Sequence, residues 1–224
     1  MTFTERLVER GRREPKRVVF PETGEPRILQ AARRICDLGI AHPILVGVPE
    51  EIRALAGREQ VSLEGFALVD TTDEAPRQQT IREFLSASDL FSEKALNRKL
   101  KDPLNYAAAM VRVGQADCLA AGISHTTGDV VLTAQLFIGM EPGVETPSSL
   151  GICEIPGYEG SEGDMLVVTD CAVNMRPTSE ELADIAIASS TTVKRLLNWE
   201  PRIAMLSFST KGSSAHADVD KMMA

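Results

Sequence analysis

The sequence predicts an α/β fold, with a mostly parallel sheet in a first unit and a mixed sheet in a second. Short apolar runs alternate with helical segments along the first half of the 224-residue chain. Because a strand, helix, strand order returns each strand in the same direction, this alternation predicts parallel pairing. Later, two apolar runs are joined by the loop PGYEGSEGD, which is typical of an antiparallel hairpin.

Three short apolar runs in the first unit are predicted strands: residues 17–20, 43–46 and 66–69. Helical patterns follow the first two, at residues 28–38 and in the segment PEEIRALAG. After the third run, helical sequence continues with breaks to Val113, and Asp102 with Pro103 begins its last helix. A fourth strand is predicted at 118–121 and a further helix at 130–138.

The segment 139–149 is the predicted boundary between the two units, because it holds two prolines and two glycines between periodic segments. The predicted domains are therefore residues 1–140 and 141–224.

Four elements are predicted in the second unit. Residues 150–155 and 165–169 are the two hairpin strands. The clearest helix of the chain spans 178–197, with Thr178 and Glu181 at the spacing of a capping box. A last strand, at 203–206, is apolar throughout and is predicted to be covered on both faces.

Composition narrows the function classes. A formal net charge of −8, with no basic run, argues against a nucleic-acid surface. No stretch reaches eighteen apolar residues, and the N-terminus has no apolar leader segment, so we expect a cytoplasmic protein that does not bind a membrane. The four cysteines are isolated from one another and from histidines at ligand spacing, which predicts neither a metal site nor a disulfide framework.

Two loops that follow predicted strands are rich in small hydroxyl side chains. Such residues, with glycine and a cation, can surround a phosphate at the carboxyl ends of strands. The alternatives are N-capping of the next helix for the first loop and an ordinary solvated turn for the second. The candidate substrate-binding residues are Ser124, Thr126 and Thr127 in the first loop, and Ser207, Ser209, Thr210, Lys211, Gly212 and Ser213 in the second.

Five segments occur in order along almost the whole chain: RVVFPETGEPRILQAA, HPILVG, ADCLAAGISHTT, VVTDCAVNMRPTSEELADIAI and EPRIAMLSFSTKGSS. Together they resemble the phosphate acetyltransferase family, with phosphate butyryltransferases as nearby relatives. The resemblance implies a three-layer α/β/α architecture in two domains with the active-site cleft between them. It also implies acyl transfer between acetyl phosphate and coenzyme A, a homodimer, and no cofactor beyond coenzyme A as substrate.

The sequence departs from the family pattern at three places. The family's Arg-Pro pair after the His-Thr-Thr motif is replaced by Leu132 and Thr133, and residues 84–89 lack the arginine of the Leu-Arg-Lys-His segment. The family's aspartate base and its Ser-Arg pair lie beyond Ala224, so we expect the second domain to be incomplete and leave the catalytic residues unassigned. Four cations are candidates to compensate for the missing arginines: Arg82, Lys94, Arg98 and Arg112.

Two other mechanisms or functions stay open. One is a non-catalytic relative that serves as a ligand-binding or regulatory module. The absence of the family arginines favours this alternative. The other is a covalent acyl-enzyme through Cys171 or Cys153, although Asp170 beside Cys171 does not favour its thiolate.

Overall fold

The computed structural model describes residues 2–210 and 213–223. The chain divides into two compact units, Met1–Gly139 and Met140–Ala224. Each unit has its own sheet and its own helices.

The first unit is built on a parallel sheet of four strands. Its order is β3-β2-β1-β4, and every neighbouring pair is parallel. The strands are β1 (Lys16–Phe20), β2 (Ala41–Gly47), β3 (Ala67–Asp70) and β4 (Cys118–Leu119). The prediction of parallel pairing is therefore confirmed, and each strand lies within about two residues of its predicted bounds.

The helices of this unit start at residues that suit a helix N-terminus. Pro26 and Pro49 occupy the first turn of their helices, and the Asp102 side chain accepts a hydrogen bond from the Asn105 N–H. The helices are α1 (Phe3–Arg13), α2 (Pro26–Asp37), α3 (Pro49–Glu59), α4 (Glu74–Ala87), α5 (Glu93–Lys99), α6 (Pro103–Arg112) and α7 (Thr127–Thr133), which continues into a π-helical segment (Ala134–Ile138).

Apolar residues of β1 and β2 alternate between the two faces of the sheet. Val19 and Val46 are fully buried in one core cluster, with side chains of α4 and α6. Phe20 and Leu45 belong to a second cluster, with side chains of α2 and α3. Because neighbouring residues of a strand point to opposite faces, the sheet is covered on both sides. The first unit is a three-layer α/β/α sandwich.

The second unit contains the predicted hairpin and the predicted long helix. Strands β5 (Leu150–Glu154) and β6 (Met165–Thr169) pair antiparallel. Helix α8 (Ser179–Leu197) begins with the capping box, in which the Thr178 hydroxyl accepts from the Glu181 N–H. A short helix, α9 (Ala217–Met223), follows near the end of the described residues.

The prediction of a buried strand at 203–206 is wrong. The segment has no strand pairing in the described part of the chain, and Ile203, Met205 and Leu206 are exposed by 48%, 44% and 81%. An apolar run becomes a buried strand only if a sheet edge and covering layers receive it. Apart from an isolated antiparallel bridge between Gly160 and Gly163, the described residues of this unit form one pair of strands, β5 and β6, so the sheet is antiparallel and not mixed.

Candidate active site

The loop after β4 wraps around a buried carboxylate. Glu22 lies just after β1, and its side chain has no exposed surface. The backbone N–H groups of residues 122–125 donate to this carboxylate at 2.9, 3.0, 2.8 and 2.9 Å. The Ser124 hydroxyl and the Nδ1 atom of His125 also contact its Oε1, at 3.0 and 2.9 Å. One carboxylate therefore fixes four consecutive residues.

The fold explains how residues about one hundred positions apart meet here. β1 and β4 are parallel neighbours, so their carboxyl ends lie at the same edge of the sheet. Gly122 has a φ of +118°, a conformation that favours glycine. This turn lets successive N–H groups converge on one anion, in the manner of a backbone anion site.

The charge of Glu22 is stabilised by these donors. Burial acts to raise the pKa of Glu22, but the hydrogen bonds from the Ile123 N–H, the His125 ring and the His125 and Ser124 N–H groups outweigh it. Its pKa is therefore well below the ordinary carboxyl range, and the group is a carboxylate at neutral pH.

The three predicted residues of this loop have different surroundings. The Ser124 hydroxyl is held by Glu22. The Thr126 hydroxyl donates to Asp129 at 2.6 Å and accepts from its N–H, so it caps α7 in the way that the alternative interpretation predicted. Thr127 is the exposed first residue of α7. Ligand binding by these residues stays a prediction.

The hydroxyl-rich loop of the second unit forms a small exposed cluster. The Ser209 Oγ atom lies 3.3 Å from the Ser213 Oγ atom and accepts from the Ser214 N–H at 3.0 Å. The Ser207 Oγ atom accepts from the Ser209 N–H, and the Thr210 carbonyl accepts from the Ser213 N–H. The predictions for Lys211 and Gly212 fall outside the described residues.

A second carboxylate organises the loop after β6. Asp170 accepts from the Ser149 N–H at 2.9 Å and from the backbone and side-chain N–H groups of Asn174 at 2.6 and 2.8 Å. It also accepts from the Ser149 hydroxyl and from the N–H groups of Ala172 and Val173. Burial acts to raise the pKa of Asp170, but these hydrogen bonds lower it overall.

Glu22 and Asp170 are the organising residues that the sequence analysis missed. Both lie inside the segments that carry the family resemblance: Glu22 follows β1 after one proline, and Asp170 directly follows β6. An acidic residue between an apolar strand sequence and a run of small residues was the available signal, because such a carboxylate can accept hydrogen bonds from neighbouring backbone N–H groups.

The structure describes the two residues that replace the family's Arg-Pro pair and the four cations that could compensate for the missing arginines. Leu132 is 56% exposed on α7, whereas Thr133 is buried. Among the proposed compensating cations, Arg112 donates to the carbonyls of Ile138 and Ala87 at 2.9 and 3.1 Å, which is a structural role. The other three are exposed on α4 and α5: Arg82, Lys94 and Arg98.

An apolar groove of about 670 Å³ lies within the second unit. It is lined by β6, by Ile185 and Val193 of α8, and by residues 199–206. The exposed apolar run described above forms one of its walls.

Other site types find no support in the described residues. Within 2–210 and 213–223, no group of three or more His, Cys, Asp or Glu side chains is placed to hold a metal ion. None of the described helices has the length and apolar character needed to cross a membrane. All four cysteines are free thiols, and the Cys171 thiol donates weakly to the Val168 carbonyl at 3.4 Å.

The fold is that of an α/β protein in which two polar loops, each held by a carboxylate, follow the carboxyl ends of strands. In this class of protein, the carboxyl ends of strands are the usual place for a ligand site. The family model described as phosphate acetyl/butaryl transferase matches residues 2–224. The chain belongs to this family, as its sequence motifs predicted.

Individual relatives agree with this assignment. The phosphate acetyltransferase of Thermoanaerobacterium thermosaccharolyticum is 37% identical over 225 residues, which cover 99% of this chain and 68% of the relative. That of Clostridium acetobutylicum is 34% identical, with 99% and 67% covered. The solved structure of a phosphotransacetylase from Streptococcus pyogenes matches with a TM-score of 0.83 at 28% identity, covering 99% of this chain and 67% of the other. The chain thus spans about two thirds of the length of these relatives.

Proposed function

We propose that this chain transfers a short acyl group between an acyl phosphate and coenzyme A, with acetyl-CoA and phosphate in equilibrium with acetyl phosphate and coenzyme A. The observation that carries the proposal is the family match over residues 2–224, together with relatives named phosphate acetyltransferase at 37% and 34% identity. A butyryl group is the alternative acyl group, since the family description includes both kinds of transferase.

The reaction sets clear chemical demands. A thiol with an ordinary pKa near 8.5 is mostly protonated at neutral pH, so a base must remove its proton. The acyl phosphate carries negative charge and its carbonyl oxygen becomes an oxyanion, so hydrogen-bond donors must surround it.

We place the donors in the two hydroxyl-rich loops. In the first loop, Thr127 is the best-placed hydroxyl, because those of Ser124 and Thr126 already donate to carboxylates. In the second unit, the proposed binding residues are Ser207, Ser209, Thr210, Lys211, Gly212 and Ser213.

The test is an assay of the purified chain in both directions. Acetyl-CoA should form from acetyl phosphate and coenzyme A with saturation in both substrates, and should be consumed when phosphate is added. Running butyryl phosphate in parallel compares the two acyl groups. Absence of turnover in both directions contradicts the proposal, and calorimetry at millimolar ligand then measures whether coenzyme A still binds.

A second candidate is a relative that binds coenzyme A without turning it over. The exposed Leu132, at a position where the family pattern has an arginine, favours it. Loss of a charge-assisted phosphate contact costs about 1.5 to 3 kcal/mol, which is roughly one to two orders of magnitude in transition-state binding. Saturable binding of coenzyme A with no acetyl-CoA formation would support this candidate.

Lys211→Met is expected to weaken binding of coenzyme A or acetyl phosphate by about 1 to 3 kcal/mol, because methionine keeps the aliphatic stem but removes the charge. The melting temperature should change little. Calorimetry measures the effect, with Lys101→Met, an exposed lysine of the first unit, as the control. Unchanged affinity in Lys211→Met would support a solvated turn at this loop.

Cys171→Ala is expected to retain most of the activity, because direct attack by the coenzyme A thiol needs no enzyme nucleophile. The measurement is kcat in the acetyl-CoA assay, with Cys153→Ala as a parallel variant. A loss of several orders of magnitude in one variant alone would point to a covalent acyl-enzyme at that cysteine.

We further propose a cytoplasmic homodimer that uses no cofactor apart from coenzyme A as substrate. Resemblance to the family supports these points, and the acidic net charge of −8 favours small-molecule partners over nucleic acid. Light scattering of the purified chain tests the dimer.

A further inference from the structure

The turn after β1 and the end of β2 meet in a close contact between Thr23 and Gly47. Thr23 is buried, and Gly47 is the last residue of β2. A Cβ atom added to Gly47 would lie 2.5 Å from the Thr23 Oγ1 atom, closer than the Cβ atoms of real proteins approach their neighbours. Only a residue without a side chain therefore fits at position 47 in this arrangement.

Gly47 is fixed in place by its neighbours. Its carbonyl accepts a hydrogen bond from the Thr71 N–H at 3.2 Å, and its backbone is paired with Asp70 of β3. On the other side, the Thr23 hydroxyl donates to the Val46 carbonyl at 3.3 Å. Because β2 lies between two strands, Gly47 has little room to withdraw, and a larger residue there would have to displace Thr23.

Thr23 belongs to the same short turn as Glu22. The Glu25 N–H donates to the Glu22 carbonyl at 3.1 Å, which closes the turn over residues 22–25. The Glu22 side chain binds the N–H groups of residues 122–125, as described above. One turn is thus fastened to β2 through Thr23 and to the loop after β4 through Glu22. A displacement of Thr23 should therefore move the Glu22 carboxylate.

The sheet order makes this turn relevant to a ligand. In the order β3-β2-β1-β4, successive strands extend the sheet in one direction from β1, and β4 then lies on the other side of β1. In open α/β sheets, ligands bind at the carboxyl ends of strands where the strand order reverses. The loops after β1 and β4 flank that position.

We propose that Gly47 and Thr23 are positioning residues for the acyl transfer. The bare Cα of Gly47 gives the Thr23 hydroxyl its place, Thr23 fixes the turn that carries Glu22, and Glu22 fixes the loop that leads to Thr127. The proposal rests on the proposed function, and it gives neither Gly47 nor Thr23 a contact with substrate.

The first test is the kinetics of Gly47→Ala. The added methyl group must move from 2.5 Å to beyond 3.0 Å from Thr23 Oγ1. A misplacement of about 1 Å can cost about 100-fold in rate, so we expect kcat/KM to fall by about tenfold or more. The assay is run at a temperature where circular dichroism shows a fully folded chain. If kcat/KM of folded Gly47→Ala stays within about threefold of the native value, the proposal is overturned.

The control is Gly57→Ala. Gly57 is exposed on α3, and a Cβ atom added to it meets no heavy atom of the described residues within 4 Å. This variant has the same change of residue without the contact, so its kcat/KM should stay within about twofold of the native value.

A double variant tests whether the contact itself is the cause. Gly47→Ala with Thr23→Ala removes the hydroxyl that the new methyl group would strike, so its kcat/KM should be about threefold or more above that of Gly47→Ala. No recovery in the double variant would overturn the steric argument.

Thr23→Ala alone tests the proposal if Gly47→Ala does not fold. It removes the hydrogen bond to the Val46 carbonyl and should lower kcat/KM by about threefold or more, whereas Thr23→Ser keeps the hydroxyl and should restore the native value. A native rate in folded Thr23→Ala would overturn the role of Thr23.

Hydrogen exchange tests the same contact without activity. In Gly47→Ala, the amides of residues 122–125 should exchange about tenfold faster or more, and the amides of Val19 and Leu45 in the sheet should change less. This local pattern distinguishes a displaced loop from a general loss of stability. Equal acceleration of all these amides, or none at residues 122–125, would overturn the proposal.

The two proposals fail in different ways. A native chain with no turnover overturns the proposed function, while hydrogen exchange still shows whether Gly47 and Thr23 position the loop after β4. An active native chain whose rate is insensitive to Gly47→Ala overturns the positioning role and leaves the proposed function in place.

Discussion

Glu22→Ala is expected to lower the free energy of unfolding by about 3 to 5 kcal/mol. Removing the carboxylate takes away the acceptor for the N–H groups of residues 122–125 and for the Ser124 hydroxyl and His125 ring. Each donor left without a partner in a part-buried site is costly, and the neighbouring bonds depend on the same group. Urea denaturation at pH 7 measures the change.

The matched control for this variant is Glu51→Ala. Glu51 is an exposed carboxylate in the first turn of α3, and its loss should change stability by about 0.5 kcal/mol or less. An effect below about 1 kcal/mol for Glu22→Ala would mean that the loop after β4 is held by something other than this carboxylate.

The same site predicts a dependence on pH. The pKa of Glu22 is lower in the folded chain than in the unfolded one, so its stabilisation is fully present above the unfolded pKa, near 4.3. It is lost progressively as the pH falls below that value toward the folded pKa. Glu22→Gln should therefore flatten the loss of stability below about pH 4. An unchanged acid slope in this variant would contradict the charge-based account.

Asp170→Ala is expected to have the second-largest effect: it should lower the free energy of unfolding of the second unit by about 2 to 4 kcal/mol. Asp170 accepts from Ser149, Ala172, Val173 and Asn174, so it fastens the start of β5 to the loop after β6. Charge-assisted bonds of this kind are about twice as strong as neutral ones. Its removal should release the loop and weaken the hairpin with it.

Hydrogen exchange locates this effect. Amides of residues 172–174, which donate to Asp170, should lose protection in Asp170→Ala, while those of β1 and β2 should keep it. The control is Asp164→Ala, an exposed carboxylate just before β6. Equal protection of residues 172–174 in the native chain and in Asp170→Ala would show that the loop does not depend on the carboxylate.

Local pattern was sufficient for most of the fold. The alternation of strands and helices predicted the parallel pairing. The run at 43–46 is apolar on both faces, as expected of a strand that is covered on both sides, and it becomes the central part of β2. Thr178 and Glu181 predicted the start of α8, because a capping box is a contact between residues three positions apart. Interactions of this range can be inferred from the sequence alone.

The wrong and missing predictions concern interactions between residues that are far apart in the sequence. The contacts of Glu22 with residues 122–125 join positions about one hundred residues apart, and only the adjacency of β1 and β4 brings them together. The run at 203–206 has the composition of a buried strand, but composition does not specify the sheet edge that must receive it. Ser124 and Thr126 were chosen for their hydroxyls, and the structure shows carboxylates already using both.

The most direct test of the account is the exchange of labelled phosphate into acetyl phosphate by the native chain, with and without coenzyme A. If coenzyme A attacks acetyl phosphate directly, label enters acetyl phosphate only when coenzyme A is present, because acetyl-CoA must form and then react with labelled phosphate. We predict that exchange occurs only in the presence of coenzyme A. Exchange without coenzyme A would contradict direct attack, and absence of exchange under both conditions would contradict the proposed acyl transfer itself.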